Sequence, residues 1–212
     1  MTVKATARAS SAVASFPVPR KAHRPRPCCA QSRSDMGETS PLPSLRLRRG
    51  TMADADRLAG LMAQPQVYEF LGDGHPVPVE VARDWLAQSD SFFARHGVGM
   101  WFLDIDGGSD GSFVSLAPGD DGAELAFALH PTLWGRGHAF RMAMTAMDKG
   151  FSNGIEKIWG GVDGANTRSE AALVRCGLRR VGTIEFPLGP GSRYEILRDE
   201  WQSGQADLIP IE

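Results

Sequence analysis

The stretch ELAFALHPTLWGRGHAFRMAMTAMDKG, residues 124–150, decides the fold of this chain of 212 residues. It begins with an apolar run between Glu124 and His130, and a run this short is typical of a buried strand. Pro131 ends the strand because proline has no N–H to donate to a ladder. From Ala139 the apolar residues recur with the spacing of a helix, for which Gly150 is the predicted end.

The turn between strand and helix, Trp134–Ala139, contains Gly135 and Gly137. Glycine lets the backbone turn sharply and leaves no Cβ in the way of a ligand. The free N–H groups at a helix N-terminus attract anions, above all phosphates. Two known phosphate motifs do not fit, because Phe140 stands where a dinucleotide fingerprint needs glycine and no Walker lysine follows. A plain glycine-rich turn between strand and helix is the competing interpretation.

This turn resembles the acetyl-CoA pyrophosphate loop of the GNAT acetyltransferases, Gln/Arg-x-x-Gly-x-Gly/Ala. Gly137-His138-Ala139 fits its second half, whereas Trp134 stands where the general form has Gln or Arg. That replacement is typical of the ribosomal-protein N-terminal acetyltransferase-like branch, which the preceding Leu129-His130-Pro131 also resembles. A second match lies downstream, where Asn166-x-x-Ser169 and Arg175-Cys176-Gly177-Leu178 resemble the family's Asn-x-x-Ser and Lys-x-Gly-Phe.

The rest of the chain predicts an element order of β-α-α-β-β-β-α-β-α-β-β. The predicted strands outside the central stretch are 44–49, 99–104, 112–116, 157–162, 179–186 and 192–198, and the predicted helices are 51–64, 79–95 and one with Thr167 as its N-cap and Glu170 at N3. This order favours a mixed α/β (α+β) fold with a central mixed sheet and helices on both faces. It is also the GNAT order, and the resemblance covers about residues 44–201.

The resemblance implies a cofactor site for acetyl-CoA as cosubstrate. The backbone of Leu129 would contact the thioester carbonyl, and Asn166 would hydrogen-bond the pantetheine arm. The pyrophosphate would lie on the turn residues Trp134, Gly135, Arg136, Gly137, His138 and Ala139. Two of these residues have purely structural alternatives: Arg136 as a solvated side chain and Asn166 as a turn residue before a helix cap.

The resemblance also implies a catalytic acid and a catalytic base. Many family members use a tyrosine to protonate the departing thiolate, but Leu173 stands at that position; Ser169 matches the serine that takes this role in the Trp-Gly branch. Glu124 matches the glutamate that begins the central strand in that branch and would take the amine proton through water. A serine in the first helical turn and a carboxylate at an exposed strand end are the structural alternatives.

Charge is distributed unevenly along the chain. Residues 1–34 hold seven basic and no acidic side chains, whereas the remainder holds 16 basic and 25 acidic ones. We expect residues 1–43 to be a disordered basic tail or a mis-called extension preceding Met36, with a transit peptide and a nucleic-acid-binding arm as alternatives. The predicted domain is 44–201, and 202–212 is a predicted C-terminal tail.

The sequence therefore predicts a cytoplasmic, acetyl-CoA-dependent N-acetyltransferase acting on a primary amine, either a protein N-terminus or a small molecule. The acidic domain mildly favours cationic acceptors. A non-catalytic acyl-CoA-binding regulatory module is the alternative. No apolar run has the ~20 residues of a membrane span, and Cys28, Cys29 and Cys176 have neither disulfide nor metal-site spacing. We expect no metal, no membrane partner and no nucleic-acid partner, and we leave a homodimer open.

Overall fold

The computed structural model describes residues 44–71, 74–202 and 208–212. The predicted tail, 1–43, lies outside them. The strands of the described part are β1 (Leu45–Arg49), β2 (Met100–Ile105), β3 (Phe113–Gly119), β4 (Gly122–Ala128), β5 (Lys157–Asp163), β6 (Arg179–Phe186) and β7 (Gly189–Leu197). Its α-helices are α1 (Ala55–Met62), α2 (Pro65–Tyr68), α3 (Val79–His96), α4 (His138–Ser152) and α5 (Thr167–Arg175), with short 3-10 turns at Met52–Asp54, Pro131–Leu133 and Arg198–Glu200. The predicted fold class, a mixed sheet with helices on both faces, is confirmed.

The strands form one sheet in the order β1-β2-β3-β4-β5-β7-β6. All neighbours are antiparallel except β4 and β5, which run parallel. A parallel pair needs a crossover connection, and α4 provides it between these two strands. The segment quoted above therefore builds the centre of the sheet.

Two hydrophobic cores cover the two faces of the sheet. One lies under α4 and α5 and includes Trp101 and Met142; the other lies under α1 and α3 and includes Phe102 and Leu86. Trp101 and Phe102 are consecutive in β2, so they point to opposite faces, and both are almost fully buried. This is why the central strands carry runs of apolar residues instead of alternating apolar and polar ones.

The predicted end of the central helix at Gly150 is wrong. The helix continues to Ser152, and Gly154, with a φ of 89°, provides the left-handed residue after it. Gly150 is buried, and a Cβ there would lie 2.7 Å from Leu116 Cδ1. Gly150 therefore allows the helix to approach the sheet closely, which sequence spacing alone does not distinguish from a stop signal.

The end of the chain contacts β1 and α4. The Leu47 N–H donates to the Pro210 carbonyl at 2.8 Å, and the Glu212 N–H donates to the Leu47 carbonyl at 2.9 Å. Ile209 is buried, and its N–H donates to Thr145 Oγ1 at 2.8 Å. Residues 208–212, predicted as a tail, thus pack on the domain beside β1.

An ion-pair cluster joins β1 to the start of α1. The Asp54 carboxylate is buried and accepts hydrogen bonds from both Arg48 terminal nitrogens, at 2.6 and 2.8 Å, and from the Thr51 N–H at 2.9 Å. Burial of the carboxylate works against its ionisation, but the bonds from Arg48 and Thr51 more than offset this and lower the pKa of Asp54 to about 2. Asp54 is therefore ionised at neutral pH.

None of the helices in the described residues has the length and hydropathy needed to cross a membrane.

Candidate active site

The parallel strands β4 and β5 pair over only two positions, Ala123 with Ile158 and Glu124 with Trp159. Beyond Glu124 the two strands diverge, while β4 stays paired with β3 as far as Ala128. A cavity of about 460 Å³ lies at the far end of this opening. Its lining residues come from α2, the end of β4, the glycine turn and the first turns of α4 and α5: Val67, Phe127, Ala128, Leu129, Leu133, Trp134, Gly135, Gly137, His138, Ala139, Arg168, Ser169, Ala171 and Ala172.

The glycine turn presents a row of backbone donors at the start of α4. Gly135 and Gly137 have φ values of 75° and 79°, the left-handed region that non-glycine residues rarely adopt. No other atom lies within 4 Å of a Cβ built at either position, so the backbone conformation and not crowding requires glycine here. Within the described residues, none of the N–H groups of 135–140 has a hydrogen-bond acceptor. Such a row at a helix N-terminus suits a phosphate group.

Trp134 connects this turn to the end of β4. Its indole Nε1–H donates to the Leu129 carbonyl oxygen at 2.9 Å, and the Arg168 guanidinium lies 5.4 Å from the centre of its ring. The indole therefore fixes the direction of the peptide plane that joins Leu129 to His130, a function that the sequence did not predict.

The Leu129 N–H points into the opening. The next N–H, that of His130, donates to Ser112 Oγ at 2.9 Å on the β3 side. Successive N–H groups of extended backbone point in opposite directions, so the Leu129 N–H is directed toward the diverging β5. Among the described residues no backbone acceptor is found for it.

The N-cap of α5 is Asn166 and not Thr167, which corrects the predicted capping box. Asn166 is buried, and its Oδ1 accepts from the Ser169 N–H at 2.9 Å. Glu170, predicted to complete the box, instead accepts from the Tyr194 hydroxyl. Thr167 is exposed. The Asn166 side-chain oxygen thus has a structural role, whereas its contact with a cofactor stays a prediction.

Ser169 is 2% exposed and lines the cavity. Leu173, one helical turn further along α5, packs in the core over β5, where a Cβ built at Gly160 would lie 3.1 Å from Leu173 Cδ1. Of these two positions on α5, only Ser169 therefore lines the cavity.

Charge at the mouth of the cavity is positive. Arg136 is exposed in the turn, and Arg168 lies over the facing indole. His138 is the first residue of α4, and its Nδ1 is buried without a hydrogen-bond partner in the described part of the chain. Burial, reinforced by the charges of Arg141 and Arg136, lowers the pKa of His138. The imidazole is therefore neutral at neutral pH, and the positive field comes from the arginines and the helix end.

Glu124 lies where β4 and β5 separate, between its sheet partners Ala117 and Trp159. It is half-buried and lines a second cavity of about 110 Å³ beneath α3. Most residues of the predicted site line the larger cavity: Leu129, Trp134, Gly135, Gly137, His138, Ala139 and Ser169. Arg136 and Asn166 are not among its described lining residues. Glu124 lies five residues upstream of Leu129 along β4, beside the smaller cavity.

An acetyltransferase (GNAT) domain family matches residues 44–179, which is more than half of the chain. The chain belongs to the GNAT acetyltransferase family. It is accordingly an N-acetyltransferase that acts with coenzyme A as acetyl carrier.

Solved structures of this family share the fold. AAC(6')-Ib in complex with ribostamycin and coenzyme A is 17% identical, with 76% of this chain and 98% of that chain covered and a TM-score of 0.63. RimL, a ribosomal L7/L12 alpha-N-protein acetyltransferase in complex with coenzyme A, is 15% identical, with 74% and 96% covered and a TM-score of 0.62. An acetyltransferase from Agrobacterium tumefaciens is 21% identical, with 78% and 99% covered and a TM-score of 0.60. At these identities the likeness concerns the fold.

Among the described residues, no group of three or more His, Cys, Asp or Glu is arranged to hold a metal ion.

Proposed function

We propose that this GNAT enzyme transfers the acetyl group of acetyl-CoA to a primary amine, on a protein N-terminus or a small molecule, at the point where β4 and β5 diverge. One observation carries the proposal: the N–H groups of residues 135–140 have no acceptor among the described residues, and Gly135, Gly137, His138 and Ala139 line a 460 Å³ cavity that begins beside this divergence. The site has hydrogen-bond donors for a phosphate group at one end and an opening between two strands at the other. It therefore fits an acetyl carrier that has a phosphate group and a long arm.

The pyrophosphate of the carrier would lie on the glycine turn. The helix N-terminus contributes roughly half a positive charge, and Arg136 and Arg168 add full charges near it. The pantetheine arm would run along the end of β4 past Asn166 and Ser169. The Leu129 N–H, which lies one peptide before the carbonyl that the Trp134 indole holds, would then donate to the thioester oxygen.

The proposed reaction is a direct transfer. The neutral amine nitrogen attacks the thioester carbon, and the carbonyl oxygen gains negative charge that the Leu129 N–H stabilises. The C–S bond then breaks, the thiolate takes a proton from the Ser169 hydroxyl, and the amine proton passes through water to the Glu124 carboxylate. Ser169 then regains a proton from solvent and Glu124 releases one to solvent, which restores both side chains. The products are the N-acetylated amine and CoA.

An acyl-enzyme route through cysteine does not suit the described part of the chain. Cys176 is its one cysteine and is buried. Burial raises the pKa of its thiol to about 12, so the thiol stays protonated and is a poor nucleophile. Direct attack by the amine is the remaining route for these residues.

The test has two steps. Acetyl-CoA at ~100 times its Kd should stabilise the fold by about 2.7 kcal/mol in a thermal-shift assay. Thiol release should then be measured with a panel of amines and N-terminal peptides. The proposal is refuted if millimolar acetyl-CoA leaves the melting temperature unchanged, or if acetyl-CoA binds but no amine is acetylated. The predicted domain bounds, cytoplasmic location and homodimer stay predictions from the sequence.

A further inference from the structure

The smaller cavity, of about 110 Å³, lies between α3 and the sheet and is adjacent to the cofactor cavity. Glu124 and Ala126 of β4 line the smaller cavity, and Phe127, Ala128 and Leu129, the next residues of the same strand, line the larger one. A molecule in the smaller cavity would therefore be next to the predicted position of the thioester.

The walls of this cavity are mostly apolar. Its apolar lining residues are Met62, Leu71, Trp85, Phe92, Gly99, Met100, Phe113, Leu116, Ala117 and Ala126. The polar lining residues are Gln88, Ser89, Ser115 and Glu124. Gln88 is exposed, and Ser89 is buried with its hydroxyl accepting the Met100 N–H at 2.7 Å, so Ser89 is already used in the fold. Glu124 is the one titratable residue among the described lining residues.

We propose that this cavity receives the apolar group of the acceptor, so that the preferred substrates are primary amines carrying a compact hydrophobic group close to the nitrogen. The inference rests on the proposed function, since it names the acceptor class of the same site. Burying apolar surface in a preformed cavity provides the binding free energy. Glu124, at the cavity wall, accounts for recognition of the amine end.

The volume sets the size of the group. An engineered apolar cavity of ~150 Å³ takes up benzene, so a cavity of about 110 Å³ suits an alkyl group of roughly four or five carbons, comparable with a leucine side chain. A polycationic sugar would instead need several carboxylates, and this cavity offers one among its described lining residues. The acceptor class is therefore distinct from the cationic one that net charge suggested.

The experiment compares leucinamide with glycinamide, serinamide and kanamycin, using the full chain and thiol release as the readout. One missing methylene in an apolar pocket is worth about 10–200-fold in kcat/KM, so leucinamide should exceed glycinamide by at least about tenfold. Peptides that begin with Leu or Ser form a second arm, which tells whether the source of the amine is a protein N-terminus or a small molecule.

Two variants test the cavity from opposite walls. Ala117→Leu, on β3, should fill it and bring the leucinamide-to-glycinamide ratio toward one while the Kd of acetyl-CoA stays unchanged. Phe92→Ala, on α3, should enlarge it and shift the preference toward phenylalaninamide. Ala87→Leu, the same substitution on the exposed side of α3, is the matched control and should keep the wild-type ratio.

Equal rates for all acceptors, faster turnover of kanamycin, or an unchanged ratio in both cavity variants would overturn the inference. If CoA is not released with any acceptor, the proposed function fails. Binding of leucinamide then tests the cavity assignment separately. In that case a leucinamide-induced thermal shift in the presence of CoA, lost in Ala117→Leu, would support the cavity assignment, and no shift in the wild type would overturn it.

Discussion

Replacing Gly137 by alanine tests whether the backbone of the glycine turn binds the cofactor. Gly137 is the N-cap of α4 with a φ of 79°, and a Cβ built there has no other atom within 4 Å. The substitution therefore introduces backbone strain without a steric clash. The left-handed conformation costs an L-residue about 1–2 kcal/mol. For a domain of this size, 1 kcal/mol shifts Tm by roughly 2–4 °C, so we expect Tm to fall by about 2–8 °C.

The effect on acetyl-CoA binding should be larger than the effect on stability. Relief of the strain rotates the peptide units around Gly137 and turns N–H groups of residues 135–140 away from the phosphates. A hydrogen bond to a charged group is worth about 1.5–3 kcal/mol. Losing one such bond corresponds to a Kd roughly tenfold to a hundredfold weaker. Isothermal calorimetry with acetyl-CoA measures this change directly.

Two controls separate strain from other effects. Gly137→Asn should lose less stability than Gly137→Ala, because asparagine adopts the left-handed region more readily. Gly60→Ala, in the exposed interior of α1 with no atom within 4 Å of its Cβ, should stabilise by about 0.5–1 kcal/mol. The reasoning fails if Gly137→Ala melts and binds acetyl-CoA like the wild type, or if Gly60→Ala is equally damaging.

Three further predictions concern single side chains. Ser169→Ala should lower kcat and kcat/KM together by about 10²-fold with the acetyl-CoA Kd nearly unchanged. Thr167→Ala changes an exposed residue in the same helical turn and should leave kcat and kcat/KM unchanged. Equal losses of activity in the two variants would contradict an acid role for Ser169. Trp134→Phe removes the 2.9 Å bond to the Leu129 carbonyl but keeps most of the ring, so kcat should fall more than cofactor affinity, and a kcat equal to that of the wild type would show that the bond does not orient the strand end. Asp54→Asn should lower the free energy of unfolding by about 1–3 kcal/mol at pH 7. The folded-state pKa of Asp54 is lowered from 3.8 to about 2, so the extra stability of the wild type is present above pH 4 and disappears as the pH falls toward 2. Urea unfolding at several pH values measures this difference.

The strand, the glycine turn and the helix of residues 124–150 can be predicted from the sequence for a physical reason. Gly135 and Gly137 lie two residues apart and both adopt positive φ, and this pair leaves a local pattern that needs no knowledge of the rest of the fold. The strand before them and the helix after them show their own periodicities. Residues 134–139 are therefore predictable from a short window.

The errors arise where a residue's role depends on tertiary contacts. Gly150 looks like a helix stop, but its absent side chain makes room for Leu116 on β3, a residue 34 positions earlier in the chain. Thr167 looks like the better cap by its spacing to Glu170, but Glu170 is engaged by Tyr194 of β7, and Asn166 caps the helix instead. In each case a contact between distant segments outweighs the local pattern.

The smaller cavity, the proposed acceptor site, is hidden from the sequence for the same reason. Its walls come from α1, α3 and three strands. These elements are separate in the sequence, and no local sequence pattern links them. The aromatic residues of α3 predict only that one face of this helix packs against the core. The sequence does not show whether that face packs fully or leaves a space of 110 Å³ against the sheet. Packed interiors seldom leave spaces larger than a water molecule. An unfilled apolar space beside the predicted base and next to the predicted thioester position is therefore better explained by an acceptor than by imperfect packing, and the Ala117→Leu variant distinguishes the two: filling a mere packing defect should stabilise the fold and leave acceptor preference unchanged.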